Sequence, residues 1–208
     1  MIDHKKIEES IDSYFTNTPT AKIIENLDLH SADRKEDLNR ENFKHRLVRD
    51  IIKQPIEYRK LQGVDLSGTN LNDANLRGAD LTGASLFGAS LYDANLNHVE
   101  MSVANLDNAD MFRANLSSAN LRGASLINAN LFSANLSFAN LKDANLSGAN
   151  LNNANLIGAD LSDTNVKDAR FIDSSGISKS MEQDLRDRGA IFDDSSGDRS
   201  KSKTLVSC

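Results

Sequence analysis

The chain has 208 residues, a net charge of −6, no tryptophan and a single cysteine at its end, Cys208. One cysteine excludes an intramolecular disulfide, and an aromatic content of 5% excludes a core built on large rings. Residues 61–172 hold 11 acidic and 6 basic side chains, a mild excess that disfavours nucleic acid, whose phosphates attract Lys and Arg patches.

Residues 1–55 read as a helical region. Asp3 is placed to cap a helix whose Ile7, Ile11 and Phe15 fall four apart as a narrow apolar stripe. Thr16–Pro19 interrupts it, and Thr18 with Pro19 suits the start of a short second helix carrying Ile23, Ile24 and Leu27. From Ser31 to about Lys53 a longer helix is predicted, with Leu38, Phe43, Leu47, Ile51 and Ile52 on its apolar side. Pro55 ends it by pushing the preceding residue out of helical geometry. Met1–Lys6 has no apolar run of signal-peptide length, and no segment approaches a membrane span of about 18–20 apolar residues. The expectation is a soluble, cytoplasmic protein with no membrane association.

The stretch 56–172 is organised by a five-residue period. Stepping by five from Leu61 to Phe171 gives 23 positions without insertion or deletion, all apolar and 19 of them leucine. Two residues before each lies alanine in 18 of the 23 units, and the residue between is usually Asn, Asp or Ser. The consensus is A-[NDS]-L-x-x. A period of five is neither the 3.6 of a helix nor the 2 of a flat strand. Each unit must therefore turn the chain and return Leu and Ala to one axis. The slot two after each leucine is Gly eight times, and Asn or Asp in many others. These residues tolerate the positive φ of a type II turn. At His98, Val103, Arg113, Ser118, Ser133 and Phe138 the same slot predicts a different, less regular turn, because a β-branched residue such as Val103 disfavours positive φ.

These units resemble the pentapeptide-repeat family over residues 59–172, just over half the chain. The resemblance implies an all-β solenoid with helical ends. Its body is a right-handed quadrilateral β-helix of about six coils, four units to a coil, between the N-terminal α-helical region and a short C-terminal capping helix. It also implies that the central residue and the one two before it point inward. Coils would then stack at ~4.8 Å, with Asn115, Asn120, Asn130 and Asn135 forming outward amide ladders.

Residues 20 apart on such a shaft share a face. One column reads Asn72, Tyr92, Phe112, Phe132, Asn152, Ile172, and a neighbouring one contributes Phe87 and Ile127. Contiguous exposed apolar surface commonly marks an interface. Tyr92, Phe112, Phe132, Phe87 and Ile127 are therefore the candidate patch for a protein partner, the alternative being that residues 1–55 fold back over it. Phe138 and Ile157 lie farther round. The acidic column Asp80, Glu100, Asp160 is interrupted by Asn120 and Asn140 and reads as a solvated face.

Residues 173–192 read as a C-terminal cap. Ser180 with Gln183 three later forms a capping-box pattern, and Gly189 suits the helix stop. Ile177, Met181 and Leu185, followed by Ile191 and Phe192, are the candidate cap or dimer contact, which leaves a monomer or a C-terminally mediated dimer. Residues 193–208 read as a disordered tail. The Leu and Ala interior leaves no cleft, and no catalytic, cofactor or metal constellation is present: His4, His30, His45 and His98 share no ligand spacing with one another or with Cys208. The expected function is a non-enzymatic protein–protein interaction or scaffold module. The alternative comes from the resemblance, since some family members mimic duplex DNA and bind type II topoisomerases such as gyrase.

Overall fold

The computed structural model describes residues 61–192. The helices and apolar stripes expected in 1–55, and the tail expected in 193–208, lie outside the described residues. Within them the five-residue period becomes a β-helix. Parallel bridges join each outward residue to the one 20 positions later, from Asp65–Ser85 to Asn155–Ser175. Four units therefore complete one coil. Each side is a three-residue extended stretch such as Ala114–Asn115–Leu116, whose two ends point inward and whose middle residue alone bridges. Two turn residues at every corner leave no room for a longer strand, so the ladder consists of single-residue bridges.

Leu and Ala explain why the shaft closes. Leu116, Ala119, Leu136 and Ala139 are no more than 1% exposed, and the same pattern runs from Leu61 to Phe171. Alanine keeps the corners narrow, and one leucine per side fills the interior. At Thr69 and Thr164, which stand in alanine slots, the buried hydroxyl donates to the Leu66 and Leu161 carbonyls at 2.6 Å. This satisfies the one polar atom that the slot would otherwise strand.

The corners correct one expectation. His98, Val103, Arg113, Ser118, Ser133 and Phe138 have φ between +52° and +58°, the same left-handed conformation as the glycines of the other turns. All corners share a type II turn closed by a bond from the N–H of the alanine slot to the carbonyl of the leucine slot, as in Ala104 to Met101 at 3.1 Å. The reason is the stack. The N–H of each such residue donates to a carbonyl in the next coil, Val103 to Arg122 at 3.0 Å and Phe138 to Ile157 at 2.9 Å. A different turn would break that bond in both coils. Cooperative hydrogen bonding thus outweighs the local preference against positive φ, which costs roughly 1–2 kcal/mol for an L residue.

Outward Asn side chains stack as expected. Asn155 donates to Asn135 at 3.2 Å, Asn135 to Asn115 at 3.3 Å, and Asn140 to Asn120 at 3.4 Å. The same carbonyl oxygens accept backbone N–H groups two residues on, as Asn135 does from Ser137 at 3.1 Å. The outward residue therefore pins its own corner and ties it to the next coil.

The helix α1 spans Lys179–Asp187. Its N-cap is Ser178, whose hydroxyl accepts the Met181 N–H at 3.2 Å, and not Ser180. Gly176 has φ +87°, and a Cβ there would lie 2.3 Å from the Ile157 nitrogen. The chain leaves the last coil through that glycine, and this places the start of α1 two residues earlier than the capping-box pattern suggests. At the other end, Gly189 donates to Arg186 at 2.9 Å and Ala190 to Leu185 at 2.9 Å. These two bonds make a Schellman motif, with Gly189 in the left-handed conformation.

Candidate functional site

Tyr92, Phe112 and Phe132 project from the same corner of three successive coils. The bridges that join Ser90 to Asp110 and Asp110 to Asn130 hold these coils in register. Backbone bonds fix the ring spacing: Asp93 N–H donates to the Phe112 carbonyl at 3.0 Å, and Arg113 N–H to the Phe132 carbonyl at 3.0 Å. Ring centroids are 5.2 Å apart between Tyr92 and Phe112 and 5.6 Å between Phe112 and Phe132, with interplanar angles of 6° and 3°. The rings lie on one another like steps. Tyr92 is exposed, and Phe112 and Phe132 are half-buried because each covers part of its neighbour.

Asparagine borders the stack at both ends of its column. Asn72 Oδ1 accepts the Tyr92 N–H at 3.0 Å and the Ser90 hydroxyl at 2.6 Å. Asn152 Oδ1 accepts the Ile172 N–H at 2.9 Å. Along one side Arg113 pairs with Asp93 at 3.1 Å. Four of the six ring faces are used within the stack, which leaves chiefly the edges for an incoming group. Ring edges carry the positive part of the aromatic quadrupole and suit apolar side chains and aromatic faces.

Phe87 and Ile127 do not join this stack. They occupy the adjacent corner two coils apart, with Asp107 between them, whose Oδ1 accepts the Ile127 N–H at 2.9 Å and the Ser125 hydroxyl at 2.5 Å. Phe87 is 50% exposed and Ile127 is half-buried. A separate apolar spot is formed by Phe138 and Ile157, 67% and 51% exposed. The ring of Phe138 rests over Gly158, where a Cβ would lie 2.6 Å from it.

At the carboxyl end, Leu185 of α1 is fully buried in the core of the shaft, and Ile177, Met181 and Phe192 pack against it. Phe192 stacks on Phe171 with centroids 5.4 Å apart, and the Arg186 guanidinium lies 5.0 Å from the Phe192 ring centre. Ile191 remains exposed, and its backbone bridges Arg170. Its N–H donates to Ala169 and its carbonyl accepts from Phe171, both at 2.8 Å. Arg188 was invisible to periodic reasoning. Its Nη1 donates to the Thr164 carbonyl at 2.9 Å and the Thr164 hydroxyl at 3.2 Å, and its Nη2 to Asp184 at 2.6 Å. The Thr164 carbonyl belongs to the open edge of the last coil, where a further coil would have supplied an N–H. No sequence signal points there, because a separation of 24 residues belongs to no multiple of the repeat.

Electrostatics on the shaft are mild. Ser162 donates to Asp160 through its hydroxyl at 2.5 Å and its N–H at 2.9 Å. These bonds, the side-chain one first, hold the Asp160 carboxyl below the usual carboxylate range, with Lys142 contributing at a distance. Among the described residues no group of three or more His, Cys, Asp or Glu could hold a metal ion. No helix among them is long and apolar enough to cross a membrane.

The fold and its regular outward columns define a β-helical repeat protein. The pentapeptide-repeat family model matches eight copies, in segments 60–97, 84–126, 109–148 and 139–175. The chain belongs to the pentapeptide-repeat family. Among solved structures it is similar to the pentapeptide repeat protein Rfr23 from the cyanobacterium Cyanothece 51142, at 32% identity and a TM-score of 0.40, covering 65% of this chain and 92% of that one. It is also similar to HetL from Nostoc sp. strain PCC 7120, a pentapeptide repeat protein involved in heterocyst differentiation regulation, at 36% identity and a TM-score of 0.27, covering 52% and 66%. A pentapeptide repeat protein from the Arabidopsis thaliana thylakoid lumen matches at 23% identity and a TM-score of 0.46, covering 70% and 89%. No curated protein matches the sequence.

Proposed function

We propose that the protein is a non-enzymatic interaction module, a rigid shaft that presents side chains in columns to a protein partner. The contact centres on Tyr92, Phe112 and Phe132, with Phe87 and Ile127 extending it round the adjacent corner. The observation that carries this reading is the three-ring stack, which places apolar edges on a framework whose corners are each hydrogen-bonded to the next coil. Such a surface loses little conformational freedom on binding, which favours affinity per contact.

The test is affinity capture from an extract of the source organism with wild type and with the triple variant Tyr92→Ser/Phe112→Ser/Phe132→Ser, both checked for folding by thermal melting. Partners held by wild type and lost by the variant support the reading. A folded variant that keeps every partner removes this column from consideration.

In the same reading Ile177, Met181, Leu185, Ile191 and Phe192 serve as the cap of the shaft and not as a dimer contact. Leu185 is already consumed by the protein's own core, and Phe192 by Phe171. Sedimentation over a hundredfold range of concentration would give a monomer throughout; a dimer abolished by Ile191→Asp would reverse the assignment.

A further inference from the structure

The ring column has a spacing that suits a helix better than a strand. Successive ring centroids stand 5.2 and 5.6 Å apart. An extended strand laid on the column would offer same-side residues only every ~6.6–6.8 Å and would fall out of step by the third ring. Residues four apart on an α-helix advance ~6.0 Å. By the third ring a helix has drifted by about 1 Å from the ring spacing, against more than ~2 Å for the strand.

A segment with this chemistry lies within the chain. Residues 38–53 carry Phe43, Leu47 and Ile51 four residues apart, on one face of a helix. They also carry five basic residues, Arg40, Lys44, Arg46, Arg49 and Lys53, against Glu41 and Asp50, and so complement a shaft with 11 acidic and 6 basic residues over 61–172. Eight residues, 53–60, connect Ile52 to Leu61, the first residue of the first coil. They can span about 26 Å at ~3.3 Å each. The three rings lie within the next three coils, about 5–15 Å further along the shaft at ~4.8 Å per coil. The connection enters at the first coil, so the shorter path gives the register Ile51 nearest Tyr92, Leu47 at Phe112 and Phe43 nearest Phe132.

We propose that the Tyr92–Phe112–Phe132 column is a helix-docking surface whose resident occupant is the chain's own segment 38–53, docked in this register. This rests on the proposed function in one respect only: an external partner using the column competes with that segment.

The experiment uses the full chain with p-benzoylphenylalanine replacing Phe112. Irradiation gives an intramolecular adduct to the peptide containing Leu47, in a product of monomer mass, and the added substitutions Leu47→Asp and Ile51→Asp abolish it. Adducts only to residues outside 38–53, adducts only in a dimer-mass product that mark a second copy as occupant, or no adduct would each overturn the proposal. Partner capture separates it from the preceding reading. If Leu47→Asp/Ile51→Asp raises capture by wild-type rings, about tenfold where the docked form outnumbers the open one ~10 to 1, segment and partner share the column. If no adduct forms and capture still depends on the rings, the docking of 38–53 is wrong and the interaction module stands.

Discussion

The strongest physical claim about the shaft is that its stack imposes positive φ whatever residue occupies the corner. Gly83 tests it with few other variables. It has φ +66°, and a Cβ placed there meets nothing within 4 Å, so the Cβ itself adds no clash. Val103, one coil further in the same column, already bears the cost with φ +52° and is 66% exposed. Asn enters the left-handed region readily, whereas a β-branched residue resists it. Both substitutions reduce the freedom of the unfolded chain, by roughly 0.5–1 kcal/mol relative to glycine. For Asn this nearly cancels the native cost, giving a change within about 0.5 kcal/mol. For Val the native cost is at the upper end of ~1–2 kcal/mol, leaving a net loss of about 1 kcal/mol. Gly83→Val is therefore less stable than Gly83→Asn by about 1 kcal/mol in equilibrium urea unfolding followed by circular dichroism. Val103→Asn shifts the midpoint the opposite way, by a smaller amount because some side-chain burial is lost. Equal midpoints for the two Gly83 variants would show that the corner relaxes to another turn, and would refute the claim that stacking dictates it.

Other outcomes follow from the carboxyl end and from the one perturbed carboxylate. Gly176→Ala pushes a Cβ to 2.3 Å from the Ile157 nitrogen and 2.5 Å from the Leu156 carbonyl carbon; backbone on both sides cannot yield cheaply, so a loss of more than about 2 kcal/mol is expected from thermal melting. Arg188→Ala strands the Thr164 carbonyl and costs about 1.5–3 kcal/mol as a lost charge-assisted bond. The pairing with Asp184 adds little, because that carboxylate is 63% exposed. Hydrogen exchange should rise in α1 and the last coil while the middle coils stay protected, and uniform loss of protection would contradict a local latch. For Asp160 the folded pKa is depressed, so its stabilisation is present above its unfolded value of about 3.9 and is lost as pH falls through the lower folded value. Ser162→Ala removes the principal cause, raises the Asp160 pKa toward the usual range in a carbon-detected NMR titration, and flattens that part of the acid limb. An unchanged titration would mean the hydroxyl bond is absent in solution.

How far these features were legible in the sequence depends on whether they obey the repeat. Leu and Ala at fixed offsets state which side chains turn inward, and a separation of 20 states which outward residues share a column; burial from Leu61 to Phe171 and the bridges between coils agree with both. The Tyr92, Phe112 and Phe132 column could be written down before any coordinates, as could the asparagine ladders. Periodicity carries this information because each coil is held by the same bonds as the last, so one unit speaks for all.

Tertiary structure decided whatever the period does not repeat. The turn at Val103 is set by its bond to Arg122 in the next coil, which residue-by-residue preference cannot register. The rings became a parallel stack because three coils enforce one spacing, and the same geometry left Phe87 and Ile127 on another corner, divided by Asp107. At the carboxyl end Ile191 bridges Arg170, 21 residues apart and not 20, since a helix has replaced one side of a coil. That single extra residue brings Phe192 onto Phe171, and the end of the helix brings Arg188 onto Thr164. A repeating sequence specifies the coil wherever a neighbouring coil exists on both sides; where the neighbours end, only the folded chain shows how the open edge is met.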